Sequence, residues 1–79
     1  MYNIGMCKVC NQGLLEVVKD SVTGKIYICC DECEAEWGTP IEALVNQGGS
    51  RGKYGKIIYP CIDEIREQQW ETDIFEHYN

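Results

Sequence analysis

The sequence is short of bases, of length and of long apolar runs, and each shortage excludes something. Seven Lys and Arg stand against thirteen Asp and Glu, a formal net charge of −6. Such a chain repels a phosphate backbone, whereas nucleic-acid binders usually carry a basic footprint. Seventy-nine residues leave no room for a dinucleotide fold, a βα barrel or a large enzyme pocket, and the expectation is one domain, residues 1–79. No apolar run approaches the ~18–20 residues of a membrane span. The stretch from Met1 to Cys7 has neither a basic segment nor an apolar one. No secretory signal is therefore expected, and the expected compartment is the cytoplasm. No paired-carboxylate or nucleophile–base motif stands out, so an enzyme is not expected. A chain this short buries only roughly 60% of its unfolded surface. It needs a staple beyond its apolar core.

The staple is legible in the cysteines. There are six: Cys7, Cys10, Cys29, Cys30, Cys33 and Cys61. A disulfide scaffold needs an oxidising compartment, to which nothing directs the chain. Cys7-Lys8-Val9-Cys10 and Cys30-Asp31-Glu32-Cys33 are two C-x-x-C pairs, nineteen residues apart. That separation falls in the range of four-cysteine zinc sites. Two intervening residues make a tight turn that directs both sulfurs inward, and two such turns complete a tetrahedron. Cys7, Cys10, Cys30 and Cys33 are thus the expected ligands of one structural Zn²⁺ per chain. A closed four-thiolate site leaves no position for a reacting water. Adjacent strand residues face opposite sides, so Cys29 is read as a small buried side chain and not as a ligand. Cys61 is read as core packing in preference to a reactive thiol. His77, the lone histidine, has no expected ligand role beside a complete cysteine set.

Between the pairs, Leu14–Lys19 and Lys25–Cys29 read as strands around the turn cluster Asp20-Ser21-Val22-Thr23-Gly24. Gly13 is expected to supply a positive φ at the exit of the first knuckle. Trp37 is read as core. Cys7, Cys10, Cys30 and Cys33, joined through the Thr23-Gly24 hairpin, resemble the zinc-ribbon superfamily, the rubredoxin-like four-cysteine β-ribbon. The resemblance covers about residues 5–37. The string from Thr23 to Trp37 is also similar to small bacterial proteins with one such ribbon. The family's knuckles commonly read Cys-Pro-x-Cys-Gly. Here Lys8 and Asp31 replace the prolines, and Asn11 and Glu34 replace the glycines. Asn accepts a positive φ, and the second knuckle is expected to continue into a helical turn. The resemblance implies a fold and a metal, and little about function.

The remainder, about residues 39–79, reads as helical. The overall expectation is a small α+β protein, an N-terminal Cys₄ zinc β-ribbon hairpin followed by two helices. Thr39-Pro40-Ile41-Glu42 is a capping box with Pro at the first helical position. Ile41, Leu44 and Val45 form its apolar stripe, and Gly48-Gly49 ends it. Residues 47–56 are Gly-rich and basic and read as a mobile linker; the alternative is phosphate contact by Arg51, Lys53 and Lys56 with Tyr54 stacked on a base. Ile57-Ile58-Tyr59 is extended before Pro60. A second helix is expected from Pro60 to about residue 69–71, with Ile58, Cys61, Ile62 and Ile65 as its stripe.

Charge is segregated. Residues 31–46 carry five acids and no base, and residues 60–79 carry six acids and one base. The natural partner is a basic protein. Asp31, Glu32, Glu34, Glu36, Asp63, Glu67, Trp70 and Glu71 are the expected partner-facing residues, with Trp70 also readable as packing. The leading expectation is a non-enzymatic, zinc-binding interaction module, of which a bacterial immunity or antitoxin-type inhibitor of a basic toxin is one form. The alternatives are a rubredoxin-like iron electron carrier and a nucleic-acid-binding zinc ribbon.

Overall fold

The computed structural model describes residues 1–74 and the strand residues Glu76 and His77. Phe75, Tyr78 and Asn79 lie outside the described residues. The strands are β1 (Tyr2–Met6), β2 (Leu14–Asp20), β3 (Ile26–Cys30), β4 (Glu36–Trp37), β5 (Ile57–Ile58) and β6 (Glu76–His77). They form one antiparallel sheet in the order β4-β3-β2-β1-β6, with β5 paired to the Lys19–Asp20 end of β2. The expected hairpin is its centre, and Leu15 faces Cys30 across it. Asp20 builds the reversal. Its carboxylate accepts from the Val22 N–H at 3.1 Å and the Thr23 hydroxyl at 2.9 Å. These donors, Val22 first, hold the Asp20 carboxyl below the usual carboxylate range.

Strand alternation decides the two faces. Leu15, Val17, Ile26, Ile28, Cys30 and Trp37 share one core cluster with Ile4, Ala43 and Ile65. Val18, Tyr27 and Cys29 form a second cluster on the opposite face.

Helix α1 (Pro40–Val45) begins as expected. Thr39 is the N-cap, its Oγ1 accepts from the Glu42 N–H at 3.3 Å, and Pro40 occupies the first turn. Its termination differs: Asn46, at φ 53°, is the left-handed C-cap ahead of the two glycines. Its orientation also corrects the sequence reading. Pro40 and Ala43 are buried, while Ile41 is 70% and Val45 57% exposed. Trp37 already fills the space beside β3 and β4, so the helix approaches on its small Ala43 side.

Helix α2 (Ile62–Glu67) is shorter than the pattern suggests. Cys61 is its N-cap, and Gln69 leaves the helical region at φ 63°. A 3-10 turn at Glu71–Asp73 follows. Ile65 is fully buried, but Ile58 and Cys61, assigned to the same stripe, are exposed. Ile58 instead pairs with Lys19 in the sheet. An ion pair between Lys19 and Glu64 joins β2 to α2. It raises the Lys19 ammonium and lowers the Glu64 carboxyl from their ordinary ranges.

Residues 47–56 form a strap where a loose linker was expected. Ser50 and Glu36 exchange backbone bonds of 2.8 and 2.9 Å. The Ser50 hydroxyl and the Lys53 N–H both donate to Glu36 Oε1 at 3.1 Å. Tyr54 stacks on Tyr27 with ring centroids 3.9 Å apart. That stack takes up one face of the ring that the nucleic-acid reading assigned to a base. No helix among the described residues is long and apolar enough to cross a membrane.

Candidate metal centre

The two knuckles sit at the ends of paired strands. The first joins β1 to β2. Cys7 N–H donates to the Gly13 carbonyl at 2.9 Å, and Asn11 N–H donates to the Cys7 carbonyl at 3.1 Å. The second joins β3 to β4, where Cys30 N–H donates to the Ala35 carbonyl at 2.9 Å. The knuckles are tied to each other: Asp31 N–H donates to the Leu14 carbonyl at 3.1 Å, and Leu14 N–H donates to Asp31 Oδ1 at 2.8 Å.

The four sulfurs of Cys7, Cys10, Cys30 and Cys33 lie within 4.8 Å of one another. Cys7 and Cys33 sulfurs are 3.8 Å apart, and those of Cys10 and Cys30 are 3.7 Å apart. A tetrahedron with metal–sulfur bonds of about 2.3 Å has edges of about 3.8 Å. The spacing therefore fits a metal ion and is far too long for disulfides. Backbone N–H groups point at the sulfurs, from Val9 to Cys7 at 3.3 Å and from Gly13 to Cys10 at 3.4 Å. Glu32 and Cys33 N–H groups each reach the Cys30 sulfur at 3.4 Å. The Gly13 and Gln12 backbone donors bring the Cys10 thiol down to about 6, while burial pushes Cys30 up to about 12. Those backbone donors favour the thiolate of Cys10, the form in which a cysteine binds a metal.

Cys29 takes the other face of the sheet, is 6% exposed, and is pushed up to about 11, first by burial. That agrees with its reading as a non-ligand. Cys61 corrects the sequence reading: it is exposed, outside the core.

Both knuckles close through a left-handed residue, Asn11 at φ 55° and Glu34 at φ 62°. The second knuckle therefore does not run into a helical turn. It turns back into β4, because Cys30 must also bond Ala35. A non-glycine residue in this region costs about 1–2 kcal/mol. Glu34→Gly is expected to stabilise the metal-loaded protein by about 1 kcal/mol. A lowered thermal midpoint would count against this account of the turn.

Among the acids assigned to a partner, Asp31, Glu32, Glu34, Asp63, Glu67 and Glu71 are exposed. Glu36 departs from that assignment. It is 6% exposed and bound by the strap, so it serves the fold. Trp70 is half-buried and packs against the main core.

One feature escaped the sequence reading. Asn3, Glu16, Cys29 and Glu36 are successive partners across β1, β2, β3 and β4 and make a buried polar row. Alternation in β2 places Glu16 on the Val18 face, so the signal was present once β1 and β4 are known. Tyr59 hydroxyl donates to Glu16 Oε1 at 3.4 Å. Burial, then the charge of Asp31, raise the Glu16 carboxyl above its ordinary value. The folded state therefore binds this proton more tightly than the unfolded state does. Stability falls as pH rises through the raised value. Glu16→Gln is expected to raise the urea midpoint at pH 7–8, with the advantage shrinking towards pH 5. A pH-independent difference would exclude this origin.

Comparison with family models, curated proteins and solved structures finds no match to this chain.

Proposed function

We propose that the chain is a non-enzymatic zinc-ribbon protein in which Cys7, Cys10, Cys30 and Cys33 hold one structural Zn²⁺, and whose acidic surface docks a basic protein. The convergence of four sulfurs within 4.8 Å of one another carries the metal part of this reading. A site closed by four thiolates fixes the fold and leaves no position to activate water. The same donors accept iron, and metal analysis separates zinc from an electron carrier.

The partner part rests on charge. Asp31, Glu32 and Glu34 cluster on the second knuckle, and Asp63, Glu67 and Glu71 lie on and after α2, all exposed. Rigid display of like charges favours a basic surface and speeds its encounter. An inhibitor that masks a basic nuclease is one form such a module takes. The test is affinity capture with the zinc-loaded chain beside its Glu32→Lys/Glu34→Lys/Glu67→Lys variant, which leaves the Asp31 tie between the knuckles in place. A basic protein retained by the wild type and lost by the variant is expected. A partner indifferent to the reversal sinks the reading.

A further inference from the structure

We propose that the open edge of β5 accepts an extended acidic peptide of a partner protein as a further strand. This surface lies at the hairpin end of β2, away from the knuckles, and is separate from the acidic surface proposed above.

The first observation is an unfilled edge. Among the described residues, β5 pairs with β2 alone, Ile58 opposite Lys19 and Ile57 opposite Asp20. Ser21 N–H donates to the Lys56 carbonyl at 2.9 Å. Backbone groups alternate sides along a strand. Lys56 and Ile58 therefore turn theirs towards β2, and Ile57 turns its N–H and carbonyl to the open side. Those are the groups that an added strand bonds. The Tyr59 hydroxyl, on Glu16 Oε1 at 3.4 Å, holds the end of the segment to the sheet.

The second observation is the side chains at this edge. Ile57, Ile58 and Tyr59 are three successive exposed large residues, and Val22 is 82% exposed. A Cβ on Gly55 would lie 3.6 Å from Val22 Cγ2, so the turn and the start of β5 form one patch. Folds guard a bare edge by keeping it short and by placing Lys or Pro on it, as Lys56 and Pro60 do here. A guard alone calls for no run of exposed apolar residues, whereas burial against a partner does.

The third observation selects the partner. Residues 19–25 and 53–59 hold four lysines and one acid. That acid, Asp20, is buried, and its carboxylate is committed to Val22 and Thr23. Lys19 is paired with Glu64, whereas the exposed Lys25, Lys53 and Lys56 take part in neither ion pair found among the described residues. This end is therefore positive on an acidic protein. Two copies set edge to edge would bring these lysines together. An extended segment that alternates acidic and apolar residues instead places its acids on the Lys56 face and its apolar side chains on the Ile57 face.

The test is an amide NMR titration of the zinc-loaded full chain. The probes are the blocked peptide Glu-Val-Glu-Val-Glu, its lysine counterpart Lys-Val-Lys-Val-Lys, and the acidic peptide with an N-methylated backbone, which cannot donate to the edge. A saturable shift centred on the Ile57 amide with the first peptide alone is expected. Lys56→Glu should weaken that peptide about tenfold, because a like charge then meets it. Should that variant lose its fold, Lys25→Glu reverses a charge on the turn without touching β5 and should weaken binding as well. Equal binding of the lysine peptide overturns the charge selection, and equal binding of the N-methylated peptide overturns strand addition. The absence of a saturable shift at Ile57 overturns the site. A shift of the same amides with protein concentration alone, with a dimer mass by light scattering, gives the edge to a second copy and overturns the acidic partner.

Discussion

Stripping the metal from the purified protein is expected to unfold most of it. The sheet is narrow, and both of its main turns at the metal end are knuckles whose sulfurs face one another. Without an ion, four sulfurs within 4.8 Å must share space as thiols, and Cys30 is buried among them. Metal binding in small zinc peptides is worth roughly 10–16 kcal/mol, comparable to the whole stability of an ordinary domain. Circular dichroism before and after chelation should show loss of the sheet signal, and elemental analysis should give one zinc per chain. Serine at Cys7, Cys10, Cys30 or Cys33 should abolish stoichiometric zinc. Serine at Cys29 or Cys61 should retain it, because Cys29 is on the opposite face and Cys61 is on the surface. A spectrum unchanged by the chelator would remove the metal from the account of stability. Retention of zinc in Cys30→Ser with loss in Cys29→Ser would exchange the two adjacent residues.

Gly13→Ala is expected to be the most damaging single-methyl substitution at the metal centre. A Cβ at this position would lie 2.5 Å from the Cys30 sulfur, 2.7 Å from Asp31 Oδ1 and 2.8 Å from Glu32 Cβ. The second knuckle passes directly over Gly13, so the methyl group must push a ligand outward. Overpacking typically costs about 1–3 kcal/mol, and here the displacement falls on the metal geometry as well. Zinc affinity, measured by competition with a chromogenic chelator, should fall at least tenfold. Gly38→Ala is the control: its Cβ would meet only Glu42 Oε1 at 3.5 Å, an ordinary contact. Equal zinc affinity in the two variants would contradict the close approach.

Gly13 also shows where reading the sequence stops. The sequence offered a reason for this glycine, a positive φ at the knuckle exit, and the reason was local. Asn11 takes that conformation instead. Gly13 is required because a segment about twenty positions along the chain packs on it, and no local pattern records that. Cys29 and Cys30 are the opposite case. Strand alternation alone placed Cys30 with the other three clustered cysteines and Cys29 on the opposite face, because the two sides of a strand are fixed by backbone geometry.

The sequence by itself determined the four candidate ligands, the central hairpin with its Asp20 turn, and the Thr39 N-cap. Each depends on the spacing or chemistry of a few neighbouring residues. Tertiary structure decided the rest. The Tyr2–Met6 strand carries Asn3 and Gly5, which weaken any local strand signal, and it forms because β2 offers it an edge. Ile41, Leu44 and Val45 have helical periodicity, which marks a face but not which way it points; Trp37 filled the core and turned that face outward. The Gly-rich strap has a linker's composition, yet buried Glu36 and Tyr27 supply partners from distant strands and hold it down. Local spacing fixes turns and ligand pairs because their geometry closes within a few bonds. The face of a helix, or the course of a glycine-rich segment, depends on what the remainder of the chain has already placed there.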